Sequence, residues 1–198
     1  MRVMRIGISY SVINNIFKGK IAAAIIACGF LLLSVSGCIG TDFQPPVEDS
    51  AVTQSPENVA RVFAESAFNG DSEKMLHCFP VKYQESLTEN DLDQYKAWGV
   101  ETSAALEKSG TEYLGTSSGN SKQYFTDTTS AEYRDSLASI SMTYGIASTD
   151  TDIEDVRTCD VRIFCNIDKS KKYQDISVLV YKYGNDWYAC VNADFQLS

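Results

Sequence analysis

The chain has 198 residues, of which 17 are Lys or Arg and 26 are Asp or Glu, for a net charge of -9. That length holds one domain of ordinary size, or two very small ones, with room for a core. A surplus of carboxylates without a basic stripe excludes a phosphate-backbone partner, so no nucleic acid is expected. With 44% hydrophobic and 22% charged residues the chain is neither disordered nor polytopic in a membrane. A single histidine, His77, and the absence of any CxxC pair remove most metal-ligand sets, so no metal or other cofactor is expected.

Residues 1–37 carry Arg2, Arg5, Lys18 and Lys20 and no acidic residue, and an apolar run from Ile21 to Leu33 leads into Ser34-Val35-Ser36-Gly37-Cys38. This is the layout of a bacterial export signal. As a helix the run is roughly 20 Å long, short of the roughly 30 Å hydrocarbon core of a bilayer, which makes a permanent transmembrane helix the weaker alternative. Val35-Ser36-Gly37-Cys38 resembles the lipobox of bacterial lipoproteins: a branched apolar residue, two small ones, then cysteine. The resemblance implies a diacylglycerol on the Cys38 thiol, cleavage just before it, and a mature protein held by its lipid on the extracytoplasmic face of the cell membrane. Two acyl chains on one residue supply the double signal that stable anchoring needs. The alternative is an ordinary secretory signal or an uncleaved anchor in which Cys38 is incidental. Removing the leader's four basic residues leaves 13 basic against 26 acidic, a net of -13. So acidic a body is expected to stand off anionic lipid, not lie along it.

After Cys38 the segment to Gln54, with Pro45-Pro46 and Glu48-Asp49-Ser50, lacks helical or strand periodicity and reads as a flexible tether of roughly 20 Å reach. Residues 55–198 then form the single working domain. Ser55-Pro56-Glu57 opens a helix that buries Val59, Val62, Phe63 and Ala67 and stops at Asn69-Gly70. Asp71 caps a second helix through Met75, Cys78 and Phe79, and Val81–Leu87 adds a further turn after Pro80. Thr88 with Asp91 opens a third amphipathic segment, which Gly99 is expected to bend before the stop at Gly110. A short strand pair is expected around Gly119-Asn120. Thr129-Ser130-Ala131-Glu132 has capping-box spacing, and Tyr133, Leu137, Ile140 and Tyr144 follow on one face before Gly145.

Beyond that helix the pattern alternates. A two-residue turn at Gly184-Asn185 pairs Tyr183 with Asp186, Lys182 with Trp187, Tyr181 with Tyr188, Val180 with Ala189, Leu179 with Cys190 and Val178 with Val191. A four-residue loop from Lys169 to Lys172 sets Cys165 opposite Ile176, Ile163 opposite Val178 and Val161 opposite Val180. Both turns place the apolar residues on one face, which must be buried and is expected to lie under the helices. Cys159 and Cys165 then lie on one strand about 20 Å apart, beyond disulfide reach, and Cys190 points to the other face. Buried free thiols are the expectation, with a bond from Cys78 to Cys159 or Cys165 as the alternative.

Pro56–Phe63, Ala67-Phe68-Asn69-Gly70-Asp71 and, far downstream, Tyr183-Gly184-Asn185-Asp186-Trp187 resemble the opening and closing of small lipoproteins related to nuclear transport factor two. The resemblance implies an α+β fold, N-terminal helices packed on a curved antiparallel sheet in a cone, with a cystatin-like outline. It covers the two ends of the domain, and residues 88–150 share little of it. The superfamily holds isomerases, dehydratases and many non-enzymatic modules, and no motif here carries the isomerase Tyr and Asp positions.

His77 beside Cys78 does not make a thiol-imidazole pair, because adjacent helix residues point about 100° apart. Glu89, Asp91 and Asp93 read as a solvated helix start, and Asp150–Asp155 as an acidic exposed loop. Lys182 across from Trp187 reads as a cation-aromatic contact at the core edge. The second sheet face carries Phe164, Leu179, Tyr181 and Tyr188, aromatics that suit either a solvated outer face with cross-strand tyrosine pairs or a contact with a protein partner or second copy. The function expected is a lipid-anchored binding or interaction module without catalysis. The competing reading is a small-molecule isomerase or hydrolase with its pocket inside the cone.

Overall fold

The computed structural model describes residues 44–146 and 153–190. The export signal, Cys38 and the Val178–Val191 pair fall outside those residues or depend on one that does. The helices form where their caps stand. Ser55 Oγ accepts from Asn58 N at 3.1 Å, Pro56 takes the first helical position, and α1 (Pro56–Asn69) ends at Gly70 with φ 71°. Asp71 caps α2 (Ser72–Leu76) and Pro80 opens α3 (Val81–Ser86). Thr88 and Asp91 close a reciprocal capping box on α4 (Glu89–Lys108). Ser130 caps α5 (Ala131–Tyr144), which buries Leu137, Ile140 and Tyr144 before Gly145.

Five strands, β1 (Glu112–Ser118), β2 (Lys122–Gln123), β3 (Ile153–Ile167), β4 (Ser170–Tyr183) and β5 (Asp186–Ala189), make one antiparallel sheet in the order β1-β3-β4-β5, with β2 also on β3. The sheet is a curled half-barrel carrying helices, the expected α+β, cone-like class. Helix α1 lies across it and meets β1, β3, β4 and β5.

Several local expectations are corrected. Gly119-Asn120 does not close a hairpin. Both β1 and β2 run antiparallel to β3, Ser118 opposite Val161 and Lys122 opposite Thr158, so the stretch is one strand interrupted between them. Gly119 N donating to Asp160 O at 3.1 Å keeps the interruption against β3. The β4–β5 hairpin has the expected register from Tyr183–Asp186 to Val180–Ala189, and Cys190 N donates to Leu179 O. The β3–β4 turn is tighter than expected: Asp168 and Lys169, at φ 50° and 64°, make a two-residue turn that pairs Ile167 with Ser170 and Val161 with Ile176. The partner thus moves by an even number of residues, and a strand's period of two leaves every side chain on its expected face.

Residues 44–54, expected as part of a tether, belong to the packed body. Gln44 N donates to Thr116 O at 2.9 Å along the outer edge of β1, and the Arg61 guanidinium donates to the carbonyls of Gln44 and Pro45. A 3-10 turn over Asp49–Gln54 buries Val52, and Thr53 Oγ1 donates to Asp186 Oδ1 at 2.8 Å. Contacts of this kind have no sequence period, and so the segment reads as tether in one dimension. On the opposite edge, Ala189 N of β5 donates to Cys78 O at 2.9 Å. Both sheet edges are therefore covered where these bonds form.

Gly99 does not bend α4, which runs unbroken for 20 residues. It allows closeness instead. A Cβ at Gly99 would stand 2.4 Å from the Gly70 carbonyl oxygen, and a Cβ at Gly70 would stand 2.4 Å from the Gly99 oxygen. The two backbones touch where α4 crosses the end of α1, and Ser103 Oγ donates to Asn69 O at 2.9 Å beside them. Helix propensity alone favours Gly99→Ala by about 1 kcal/mol. The backbone collision reverses that sign: Gly99→Ala is expected to lower stability by about 1–3 kcal/mol in urea unfolding. Val100→Ala, at a position 70% exposed on the same helix, should leave the midpoint unchanged or slightly raised.

Candidate functional site

Along one sheet face the side chains change character from the core outward. Cys159, Val161, Ile163 and Cys165 of β3 and Val178 and Val180 of β4 are buried on it, with Ala189 and Trp187 of β5. Helix α1 packs over this face through Val59, and the Cys78 thiol sits against the Val59 carbonyl. Two residues beyond Cys159 the same face presents Arg157, then Asp155, while on β4 Val180 gives way to Lys182. Asp155, Lys182 and Trp187 form one cross-strand row.

This row floors a cleft of about 450 Å³. A bulge between Ile153 and Asp155 shifts the register there, and the Glu154 carboxylate meets Lys182 Nζ. Arg157 Nε donates to Asp155 Oδ2 at 2.7 Å, and its guanidinium lies 5.3 Å from the centre of the Trp187 indole. The wall facing the row comes from the β2–α5 connection and the first turn of α5: Phe125 and Tyr133, edge to face at 5.2 Å, with Gln123 and Thr128 beside them. Arg157 Nη1 also donates to Ser121 Oγ at 3.3 Å, and Ser121 N donates to Glu57 Oε1 at 2.8 Å. Burial pushes the Glu57 carboxyl up, but the Ser121 hydrogen bonds and the Arg157 charge outweigh it and hold the group below its usual range. The cleft is thus tied to the start of α1.

The expected Lys182–Trp187 contact is replaced by Arg157 over the indole, because the bulge brings Glu154 to Lys182. Ile153–Asp155, read as the end of an acidic loop, belong to β3. Arg157 went unremarked in the sequence. The available signal was a charged pair, Asp155 and Arg157, at strand spacing on a face otherwise apolar.

The second sheet face is covered around Tyr181, while Asp160, Asp175 and Ser177 farther along it are exposed. Tyr181 is 0% exposed, Phe164 is buried, and Leu179 and Tyr188 are half-buried. Tyr144 of α5 lies over Tyr181 with ring centres 5.4 Å apart, stacks on Phe79 at 5.8 Å and hydrogen-bonds Cys190. Phe79 in turn meets Phe63 of α1, so aromatic rings wrap the β5 edge from one face to the other. Alternation of this kind looks the same whether water or a helix lies on the far side, which is why it reads as either a solvated outer face or a partner contact. The Tyr181–Tyr188 pair is present, at 5.9 Å. The Tyr181 hydroxyl is buried without a hydrogen-bond partner.

His77 is exposed at the end of α2 while Cys78 is buried, so the two share no pocket. Asp91 serves the α4 cap. Cys78, Cys159, Cys165 and Cys190 are buried and form no disulfide with one another. Burial pushes the Cys78, Cys159 and Cys190 thiols up to about 12, which leaves them protonated and poorly nucleophilic near neutral pH. Among the described residues no cluster of His, Cys, Asp and Glu could hold a metal ion, and no helix is long and apolar enough to cross a membrane. No protein-family model, curated protein or solved structure matches the chain.

Tyr181→Phe removes a buried hydroxyl that has no partner, so it should leave stability unchanged or raise it by up to about 1 kcal/mol, whereas Tyr83→Phe, which breaks the 3.3 Å contact with the Tyr95 hydroxyl, should cost about 1 kcal/mol in the same urea titration. The buried thiols set an alkaline limit. A thiol protonated in the folded state and ionised in the unfolded one stabilises the fold fully below about pH 8.5, and that contribution is lost as pH rises towards 12. Stability measured by denaturant is therefore expected to fall across that window, and an aromatic disulfide reagent at pH 8 should leave all four buried cysteines unmodified until the protein is unfolded.

Proposed function

We propose that the protein is a lipid-anchored, extracytoplasmic binding module, non-catalytic, with the cleft around Trp187 as its ligand site and membrane attachment through Cys38. The observation that carries the binding reading is the state of the ionisable groups in the cleft: Arg157 is engaged by Asp155, and Lys182 by Glu154. Acid-base chemistry needs a proton donor or acceptor free to face the reacting atom, whereas a recognition surface needs charges held in place beside an apolar floor. The paired carboxylates and the shielded indole suit the second requirement. The likeness of Val35–Cys38 to a lipobox, and of the first helix and last hairpin to small lipoproteins related to nuclear transport factor two, supports the anchored reading.

In the host bacterium the mature wild-type protein is expected to begin at Cys38, to carry two or more acyl chains there by mass spectrometry, and to partition into the detergent phase. Cys38→Ala should accumulate as uncleaved precursor without the acyl mass. A mature N-terminus elsewhere, or unchanged acylation in the variant, would overturn the anchoring proposal.

A further inference from the structure

We infer that the cleft recognises a small zwitterion of the α-amino-acid class with an apolar or aromatic side chain. This rests on the binding-module reading above. The first ground is charge balance. The mature chain has twice as many acidic as basic residues, 26 against 13, yet the cleft holds Arg157 and Lys182 against Asp155 and Glu154 and is locally neutral. The second is arrangement. Asp155 and Lys182 are direct cross-strand neighbours, and with Arg157 and Glu154 they set groups of both signs side by side on the cleft floor. The third is the apolar remainder. The indole of Trp187 floors the cleft, and the Phe125 and Tyr133 rings wall it, leaving a place for a side chain.

Partner exchange explains why both ligand charges are needed. A ligand bearing one charge can displace one member of an ion pair only by leaving the other member alone. An anion taking Arg157 strands Asp155, and a cation taking Glu154 strands Lys182. A zwitterion replaces both partners at once, its carboxylate meeting the guanidinium or ammonium and its ammonium meeting the released carboxylate. The Arg157 and Lys182 side chains are 35% and 32% exposed. Pairs this open to water can exchange partners, whereas Asp155, at 22% exposure the least solvated of the four, is the member that a lone anion on Arg157 would leave unpaired. A cleft of about 450 Å³ accommodates a ligand of this size.

The test is calorimetric titration of the full-length mature lipoprotein in detergent with L-phenylalanine and L-leucine, each beside its N-acetyl derivative, an anion, and its amide, a cation. The free amino acids are expected to bind, and both capped forms to bind at least tenfold more weakly. Arg157→Gln should weaken the free amino acids at least tenfold. Lys182→Gln provides a second variant, and the capped-ligand comparison on wild type requires no variant at all. Capped and free forms binding alike, or Arg157→Gln and Lys182→Gln both without effect while thermal unfolding remains cooperative, would overturn the inference. Binding of only the anion or only the cation, lost in Arg157→Gln, would overturn the zwitterion while leaving a binding module in place. No heat with any of the six probes would also overturn it, and the anchoring half of the functional reading would still stand or fall on the Cys38 result alone.

Discussion

One face of a curled sheet has to be covered, and α1 covers it. Val59, Val62 and Phe63 are buried in the core that includes Val161, Val178 and Val180, and each such side chain removed from water contributes about 1.5–3 kcal/mol. The placement of the rest follows from where that cover stops. The strands continue past α1, and there the inward positions change from Val and Cys to Arg157, Asp155 and Lys182. A polar cleft forms because the sheet is longer than its apolar cover. Glu57, at the first turn of α1, meets Ser121, which also receives a bond from Arg157, so the helix that closes the core also steadies the cleft.

The remaining helices brace this arrangement through contacts of two kinds. On one side Gly70 and Gly99 bring backbones into touch, fixing α4 against the end of α1 with no room for a side chain between them. On the other side rings do the work: Phe63, Phe79, Tyr144 and Tyr181 pass contact around the β5 edge. The edge itself is closed by the Cys78 carbonyl. Helix α5 is thereby held over the second face, and its first turn supplies Tyr133 to the cleft. The covered face and the cleft wall are thus two ends of one helix. This connection also explains why Tyr181 lies in the core and not on a surface.

Function at such a site depends on paired charges. In water, half-exposed ion pairs add little to stability, so the pairs around Trp187 can be rearranged without threatening the fold. Their value lies in orientation: each holds a charged tip in a set direction at the edge of an apolar floor. The deeply buried groups have the opposite character. The thiols and Tyr181 sit where ionisation is penalised by burial, and they serve as packing.

Much of this was legible in the amino-acid sequence, and for a common reason: local chemistry decides it. Ser55-Pro56, Thr88 with Asp91, Ser130 and Gly145 announced helix ends because caps act within a few residues. Strand alternation announced the buried face, and because its period is two, an error in the length of the Asp168–Lys169 turn left every face assignment intact. Tertiary structure alone decided what lies against those faces. Whether Tyr181 meets water or Tyr144, whether Gly99 bends a helix or admits a neighbour, and whether Pro45 swings free or accepts from Arg61 all depend on segments distant in sequence. The cleft belongs to this second group. A bulge at Glu154 and a wall from α5 bring its charges and rings together, and neither leaves a repeating mark in one dimension.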